Sequence, residues 1–295
     1  MRLNVIKSVT HISPSAFLMS RRCLQKFYLL RLAGYPYVER KQTKAAAIGT
    51  AFGAYMVDAI KTRREIMNDG PHLDLATNLS QITLPDVIDE AREIAKLYIK
   101  GGCLDIFLNA NEVWLETERS KRLDNGVPIL GILDGLIDGV PFDWKLRGFA
   151  STKKPSPTPG YRSNVKVTED RTELNGPHKD QLKGLELTNV AWAVQMLFYN
   201  WLTASEEYII HEVIPRDQGI QVSTLQGGFT PGFKKLTHEQ LTDLWVNIRE
   251  LTCDIPEPSI STFICEAYGT ICEVADKCPP YMKTLGDEEY RKLYG

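Results

Sequence analysis

Two aspartates and a lysine lie close together in the segment G-I-L-D-G-L-I-D-G-V-P-F-D-W-K, which runs from Gly131 to Lys145. A divalent cation such as Mg²⁺ or Mn²⁺ prefers carboxylate and carbonyl oxygens. Asp134, Asp143 and the backbone carbonyl of Trp144 could supply these oxygens. A metal held there polarises a phosphodiester and activates a bound water, and the Lys145 ammonium can orient that water or stabilise negative charge. The segment therefore predicts a metal site suited to phosphodiester hydrolysis.

A β-hairpin would position these residues. The Asp138-Gly139 pair is typical of a two-residue turn, and apolar residues on either side predict its two strands. Asp134 and Asp143 are then expected face to face across the strand pair. The alternative is a hairpin on which the three charged residues merely form a weak surface ion pair.

A helix is predicted farther along the chain, from Thr188 to Leu202, by length and apolar content. Gln195 and Tyr199 are four residues apart and share one face of it. In an apolar setting their amide and phenol groups would need hydrogen-bond partners. The alternative is an ordinary core tyrosine and a solvated glutamine.

The order of G-x-x-D, D-x-K and Q-x-x-x-Y resembles the PD-(D/E)xK nuclease superfamily. The similarity is to its RecB-like branch, which includes nuclease domains of recombination complexes, CRISPR adaptation nucleases and phage exonucleases. Upstream, Ser13, Ser15 and the segment C-L-Q-K-F from Cys23 to Phe27 resemble the S-x-S and C-P-x-x-[FY] patterns of this branch. Gly53 departs from the family, because the resemblance places a metal-binding histidine there.

The resemblance implies a function as well as a fold. It implies an enzyme, a metal-dependent DNA exonuclease acting on ends or single strands in recombination, repair or phage DNA processing. A helicase or recombinase partner is implied by the resemblance alone. The alternative is a catalytically inactive DNA-binding or partner protein that keeps the nuclease fold. The implied roles are metal ligation by Asp134 and Asp143, catalysis by Lys145, and support of the active site or DNA backbone by Gln195 and Tyr199.

Cysteines cluster near the C-terminus as C-x6-C-x5-C, and a further one lies near the N-terminus. In iron-sulfur members of the branch, one N-terminal and three C-terminal cysteines hold a [4Fe-4S] cluster. The resemblance implies the same here, although the x6 gap differs from the usual x2. Four thiolates suit zinc as well, and buried thiols of a reduced protein are a further alternative. The implied cluster ligands are Cys23, Cys265, Cys272 and Cys278.

Charge is distributed unevenly along the chain. The net charge is -2, but residues 1–65 carry +9 and the remainder carries -11. A basic region interleaved with aromatic residues is typical of surfaces that track phosphates and stack bases. Solvated helix faces are the alternative. We expect DNA contacts from Arg21, Arg22 and Lys26, and from Lys153, Lys154 and Arg162 in a long segment of weak periodicity that we expect to lie over the DNA.

Periodicity and turn residues predict a chain of mixed helices and strands, of the α/β (α+β) class. The resemblance implies a restriction-endonuclease-like core, in which a central mixed sheet is flanked by helices. Helices are expected at 13–32, 43–64, 85–100, 188–202 and 237–251, and strands at 113–122, 129–137, 140–146, 207–214 and 219–225. Residues 67–84 are expected to form a loop.

The chain, residues 1–295, is expected to form a single domain. We expect a basic helical part (1–105), a catalytic core (106–252) and a C-terminal cysteine-bearing segment that packs back on the first helix (253–295). No apolar stretch is long enough to cross a bilayer, and the N-terminus lacks a signal-peptide pattern. We expect a location in the cytoplasm of a bacterial or phage-infected cell.

Overall fold

The computed structural model describes residues 9–32, 44–64, 75–80, 82, 86–146, 190–216 and 219–250. The helices are α1 (Pro14–Arg22), α2 (Leu24–Phe27), α3 (Lys44–Lys61), α4 (Leu75–Ser80), α5 (Asp86–Lys100), α6 (Asp105–Leu108), α7 (Val190–Thr203) and α8 (Pro231–Glu250). The strands are β1 (Val113–Arg122), β2 (Pro128–Ile137), β3 (Val140–Leu146), β4 (Tyr208–Arg216) and β5 (Gly219–Gly227).

A mixed five-stranded sheet in the order β1-β2-β3-β4-β5 lies at the centre of the fold. Strand β2 pairs antiparallel with β3, β3 parallel with β4, and β4 antiparallel with β5. This arrangement confirms the predicted α+β class with a central mixed sheet flanked by helices. The predicted Asp-Gly turn between β2 and β3 is also confirmed, because Asp138 and Gly139 have the positive φ values, 48° and 82°, of a two-residue hairpin turn.

Helices α3 and α5 cover one face of the sheet. In α5 the buried residues recur every three to four positions, as expected for an amphipathic helix. Acidic residues in its first turn and Lys100 in its last turn complement the helix dipole. The apolar sides of both helices form one core with residues of the strands, among them Leu115, Phe142 and Trp144.

Helix α7 lies on the other face. Phe142 and Trp144 belong to the core with α3 and α5, so the side chains that alternate with them on β3, Asp143 and Lys145, point the opposite way. Both make contacts with Gln195 of α7. The packing of α7 on β2 is close at Gly131, where an added Cβ would lie 2.9 Å from Leu202 Cδ1.

The described residues divide into two compact units. The sheet unit comprises 44–64, 75–80, 82, 86–121, 130–146, 190–216 and 219–235, and the terminal unit comprises 9–32, 122–129 and 236–250. In the terminal unit, the Ile12 amide donates a hydrogen bond to the Pro128 carbonyl over 2.9 Å, and Asn125 Nδ2 donates to Thr242 Oγ1 of α8. The predicted single domain with three parts stays a prediction.

Three details of the predicted helices and loops are wrong. The expected helix at 13–32 is interrupted at Cys23, whose backbone is extended and whose thiol caps α2 by accepting a hydrogen bond from the Lys26 amide. Its last part, Tyr28–Leu32, is a π-helical turn. Helix α8 begins at Pro231, six residues before the predicted start, because proline fits the first turn of a helix. The expected loop at 67–84 contains α4.

No helix among the described residues combines the length and the apolar character needed to cross a bilayer.

Candidate active site

Asp134 and Asp143 lie side by side where the ladder between β2 and β3 ends. The last paired residues in the register are Gly135 and Phe142, and the two aspartates follow directly. Asp134 Oδ2 accepts a hydrogen bond of 3.3 Å from the Trp144 amide, so a side chain replaces the next ladder bond. Asp143 is 1% exposed. The face-to-face placement expected from the hairpin is therefore present in the sheet unit.

Asp143 is held in an environment that disfavours its charge. Burial raises the pKa of this carboxyl well above its usual value, and the neighbouring negative charge of Asp134 raises it further. Lys145 acts in the opposite direction and forms an ion pair with Asp143 Oδ2. That oxygen accepts no hydrogen bond of standard geometry among the described residues. A divalent cation beside the two carboxylates would offset their repulsion.

The donor set fits a hard cation such as Mg²⁺ or Mn²⁺, which binds carboxylate oxygens and keeps several waters. Among the described residues, no group of three His, Cys, Asp or Glu side chains is placed to hold a metal. Gly53 adds no ligand, and a Cβ built there would meet no atom within 4 Å. Among the described residues, the aspartate pair and backbone oxygens could hold a cation at this site, with water completing its shell.

Lys145, Gln195 and Tyr199 form one hydrogen-bonded network with Asp143. Lys145 Nζ donates to Gln195 Oε1 over 2.9 Å. Gln195 Nε2 donates to Asp143 Oδ1 over 3.3 Å and to the Tyr199 hydroxyl over 2.8 Å. The Tyr199 hydroxyl donates to the Ile132 carbonyl over 2.6 Å. Each amide atom of Gln195 therefore has a partner of the right type, and the glutamine is not a solvated residue.

Tyr199 acts in this network as a hydrogen-bond donor. Burial raises the pKa of its phenol, and the nearby negative charges of Asp134 and Asp143 raise it further. The phenol is therefore protonated at neutral pH and does not serve as a base. Its position between α7 and the Ile132 carbonyl instead fixes the orientation of the Gln195 amide.

A cavity of about 280 Å³ opens beside Asp134, on the side of α3. Gly49 and Gly53 of α3 line it together with apolar side chains that include Phe52 and Trp144. Glu116 of β1 also lines it, and this residue has a φ of 49°, a left-handed conformation that is unusual for glutamate within a strand. The sequence gives no sign of this conformation, because neither neighbour is a glycine or a turn residue.

A chain of buried hydrogen bonds lies behind the site. Trp144 Nε1 donates to the Tyr98 hydroxyl over 3.2 Å, and this hydroxyl contacts His211 Nδ1. Burial raises the pKa of Tyr98 and lowers that of His211 to about 4. At neutral pH the phenol therefore keeps its proton and the imidazole is neutral. Sequence reasoning missed both residues, since a tyrosine and a histidine within apolar elements carry no distinctive pattern.

The remaining predicted site residues lie in the terminal unit or outside the described residues. Arg21 and Arg22 are exposed at the end of α1, and Lys26 is half-buried in α2, all in the terminal unit. Cys23, in the same unit, is half-buried. Their proposed roles stay predictions. Lys153, Lys154, Arg162, Cys265, Cys272 and Cys278 lie outside the described residues.

Comparisons with known proteins do not assign this chain to a family. No family model matches the chain, and no curated protein matches it. The chain is similar to the crystal structure of a candidate exonuclease from Eubacterium rectale, with 12% identity, a TM-score of 0.48, and coverage of 88% of this chain and 93% of that one. It is also similar to the crystal structure of SSO0001, with 15% identity, a TM-score of 0.32, and coverage of 90% and 96%. With TM-scores below 0.5, neither similarity identifies a family for this chain.

Proposed function

We propose that this protein is a metal-dependent nuclease that hydrolyses phosphodiester bonds of DNA. The observation that carries the proposal is the network joining Asp134, Asp143, Lys145, Gln195 and Tyr199 at one end of the β2–β3 ladder. Its members are buried or half-buried, and a carboxylate pair with one member buried is costly to retain in a fold that makes no use of it. The order of these residues along the chain resembles that of the RecB-like branch of the PD-(D/E)xK superfamily. This resemblance supports an assignment to that branch, with action on DNA ends or single strands.

The chemistry follows from the side chains. A Mg²⁺ or Mn²⁺ ion at the carboxylates would neutralise the phosphate charge and supply an activated water. Lys145 projects its ammonium group between Asp143 and Gln195, where it can stabilise negative charge on the attacked phosphate. Gln195 and Tyr199 are positioning residues, because they hold Lys145 and Asp143 without needing to touch the substrate.

Further parts of the proposal rest on the sequence. DNA is the proposed partner, contacted by the basic residues of 1–65 and of the segment 151–166. A recombinase or helicase partner and a cytoplasmic location in a bacterial or phage-infected cell are proposed on the resemblance alone. A [4Fe-4S] cluster held by Cys23, Cys265, Cys272 and Cys278, with zinc as the alternative, is proposed on the same basis.

A second function is favoured by one observation. At Gly53 the chain has no side chain where the resemblance expects a metal-binding histidine, and the described residues offer only the aspartate pair. A protein that binds DNA at this site without cutting it would have the same network. The two functions differ in the result of one experiment.

The experiment is digestion of linear single-stranded and double-stranded DNA with Mg²⁺ or Mn²⁺ by the wild type, Asp143→Ala and Lys145→Ala. We expect both variants to lose on the order of 100-fold or more in rate. We also expect Asp143→Ala, but not Lys145→Ala, to lose Mn²⁺ binding in calorimetry.

Asp89→Ala is the matched control, because Asp89 is an exposed aspartate of α5 outside the network. Equal digestion by the wild type and Asp143→Ala would remove the catalytic assignment. DNA binding without digestion by the wild type would favour the second function.

A further inference from the structure

We propose that the cavity beside Asp134 holds the nucleoside attached to the scissile phosphate, and that Glu116 accepts a hydrogen bond from an exocyclic amino group of its base. The inference rests on the proposed function and deepens it, since it assigns part of the substrate to a second group of residues. A phosphodiester at the aspartates carries a nucleoside on each side. The cavity opens from one of those aspartates, within the sheet unit.

The space in the cavity comes from two glycines on one face of α3. Gly49 and Gly53 are one helical turn apart, and a Cβ built at either position would meet no atom within 4 Å. Glycine weakens a helix interior relative to alanine. Larger side chains would fit at both positions, so lack of space does not explain the glycines. Between them they leave open a volume that side chains would otherwise fill.

The walls of the cavity select the base and sugar rather than a phosphate. Phe52, Val57 and Leu146 provide apolar surface, which suits the face of a base. Asp134 and Glu116 are the acidic residues of the lining, and their charges would repel a phosphate group. A carboxylate is, in contrast, a good acceptor for the amino group of cytosine or of a purine.

The backbone at Glu116 gives independent support. A non-glycine residue with a left-handed φ is strained, and such residues cluster at ligand-binding and active sites. Leu115 and Thr117 on either side are both buried, whereas Glu116 is exposed at the cavity. Because Glu116 and Asp134 line the same cavity, a contact with substrate is the role that its position favours.

The first test fills the cavity. Gly53→Leu and Gly49→Leu should each raise the KM for a single-stranded cytosine oligonucleotide by about tenfold or more, because the nucleoside loses its space. Calorimetric Mn²⁺ binding should be unchanged. Ala46→Leu is the control, since it adds the same side chain to an exposed position of α3 outside the lining, and urea unfolding checks that all three variants fold.

The second test removes the acceptor. Glu116→Ala should lower the ratio of kcat/KM for a cytosine oligonucleotide to that for a thymine oligonucleotide by about fivefold or more, because thymine has no exocyclic amino group. Glu118→Ala, at an exposed glutamate two residues along β1, should leave the ratio unchanged. Oligonucleotide binding in a Lys145→Ala background, which keeps both aspartates, should follow the same pattern.

The results separate this inference from the function on which it rests. If Asp143→Ala is inactive while Gly49→Leu and Gly53→Leu keep the wild-type KM, the assignment of the cavity to a nucleoside is wrong and the nuclease function is still supported. Loss of Mn²⁺ binding in both leucine variants would assign the cavity to the metal and overturn the inference. Digestion by Asp143→Ala would remove the function itself.

Discussion

Asp143 is the residue at which stability and function conflict most directly. Its carboxyl is buried, lies next to a second carboxyl, and has a raised pKa from both causes. The folded protein therefore binds the Asp143 proton more tightly than the unfolded chain does. Stability from this group is present at low pH and is lost as the pH rises from the unfolded pKa of 3.8 toward the raised folded pKa.

This conflict predicts that Asp134→Asn stabilises the metal-free protein. Without the Asp134 charge, ionised Asp143 is less disfavoured, and we expect the free energy of unfolding at neutral pH to rise by about 1 kcal/mol. An asparagine can still accept the hydrogen bond from the Trp144 amide. The measurement is urea unfolding in the presence of a chelator, and the gain should vanish at a pH low enough to protonate Asp143 in both the folded and the unfolded protein.

Added Mn²⁺ should make the wild type more stable than Asp134→Asn, which is the reverse of the order expected in the presence of a chelator. The wild type should gain about 2.7 kcal/mol when Mn²⁺ is at one hundred times its dissociation constant, and the variant should gain little. Asp89→Asn, at an exposed aspartate, controls for the loss of one charge. If Asp134→Asn is no more stable than the wild type in the presence of a chelator, the charges of Asp134 and Asp143 do not destabilise the metal-free protein.

At the scale of elements, the position of α7 on the sheet determines the geometry of the network. Gln195 and Tyr199 reach Asp143 and the Ile132 carbonyl only because α7 packs closely over β2. The closest approach is at Gly131, where an added Cβ would lie 2.9 Å from Leu202 and 3.0 Å from Tyr199. A glycine is needed there for packing rather than for backbone conformation.

Gly131→Ala should therefore move α7 relative to β2. We expect a loss of about 1 to 2 kcal/mol in stability from overpacking, together with slower DNA cleavage at unchanged Mn²⁺ affinity, because Tyr199 and Gln195 shift while the aspartates stay. The measurements are urea unfolding, steady-state cleavage and calorimetry.

Gly135→Ala is the matched control on the same strand. Its added Cβ would meet its nearest atom at 3.5 Å, an ordinary contact, so stability should change by less than about 0.5 kcal/mol. Adding Leu202→Ala to Gly131→Ala should restore part of the lost stability. Equal effects of the two glycine substitutions would contradict the close approach of α7.

At the scale of the whole molecule, the buried hydrogen bonds of His211 tie α5, β3 and β4 together. The Tyr98 hydroxyl accepts from Trp144 Nε1 and contacts His211 Nδ1. A neutral imidazole can accept a hydrogen bond at Nδ1, whereas an imidazolium can only donate one. Protonation of His211 would place a second donor against the Tyr98 hydroxyl. The lowered pKa of this histidine follows from burial.

Acid should therefore destabilise the protein through His211. The pKa is about 4 in the folded protein and 6.5 in the unfolded chain, so the folded state binds fewer protons between these values, and stability falls as the pH drops through them. We expect a loss of about 3 kcal/mol from this group by pH 4. His211→Asn, which keeps a hydrogen-bonding group near the Nδ1 position, should show a smaller pH slope in urea unfolding.

Much of the fold follows from local patterns. Strands β1 to β3 and helices α3, α5 and α7 agree with prediction to within a few residues, since apolar periodicity and turn residues act locally. The break at Cys23 has no local signal in the sequence, because a thiol cap competes with a continuous helix only through details of geometry. The start of α8 does have a local signal, the proline at its first position.

For the candidate site, local patterns in the sequence are enough to predict the hairpin with its two aspartates and the helical pair of glutamine and tyrosine. Spacing along one element fixes which side chains share a face. Three features of the site become visible only in the folded protein. Gln195 reaches Asp143 and Lys145, Tyr98 and His211 lie behind Trp144, and Glu116 lines a cavity with two glycines. Those contacts join residues from separate elements, and packing in three dimensions determines their distances.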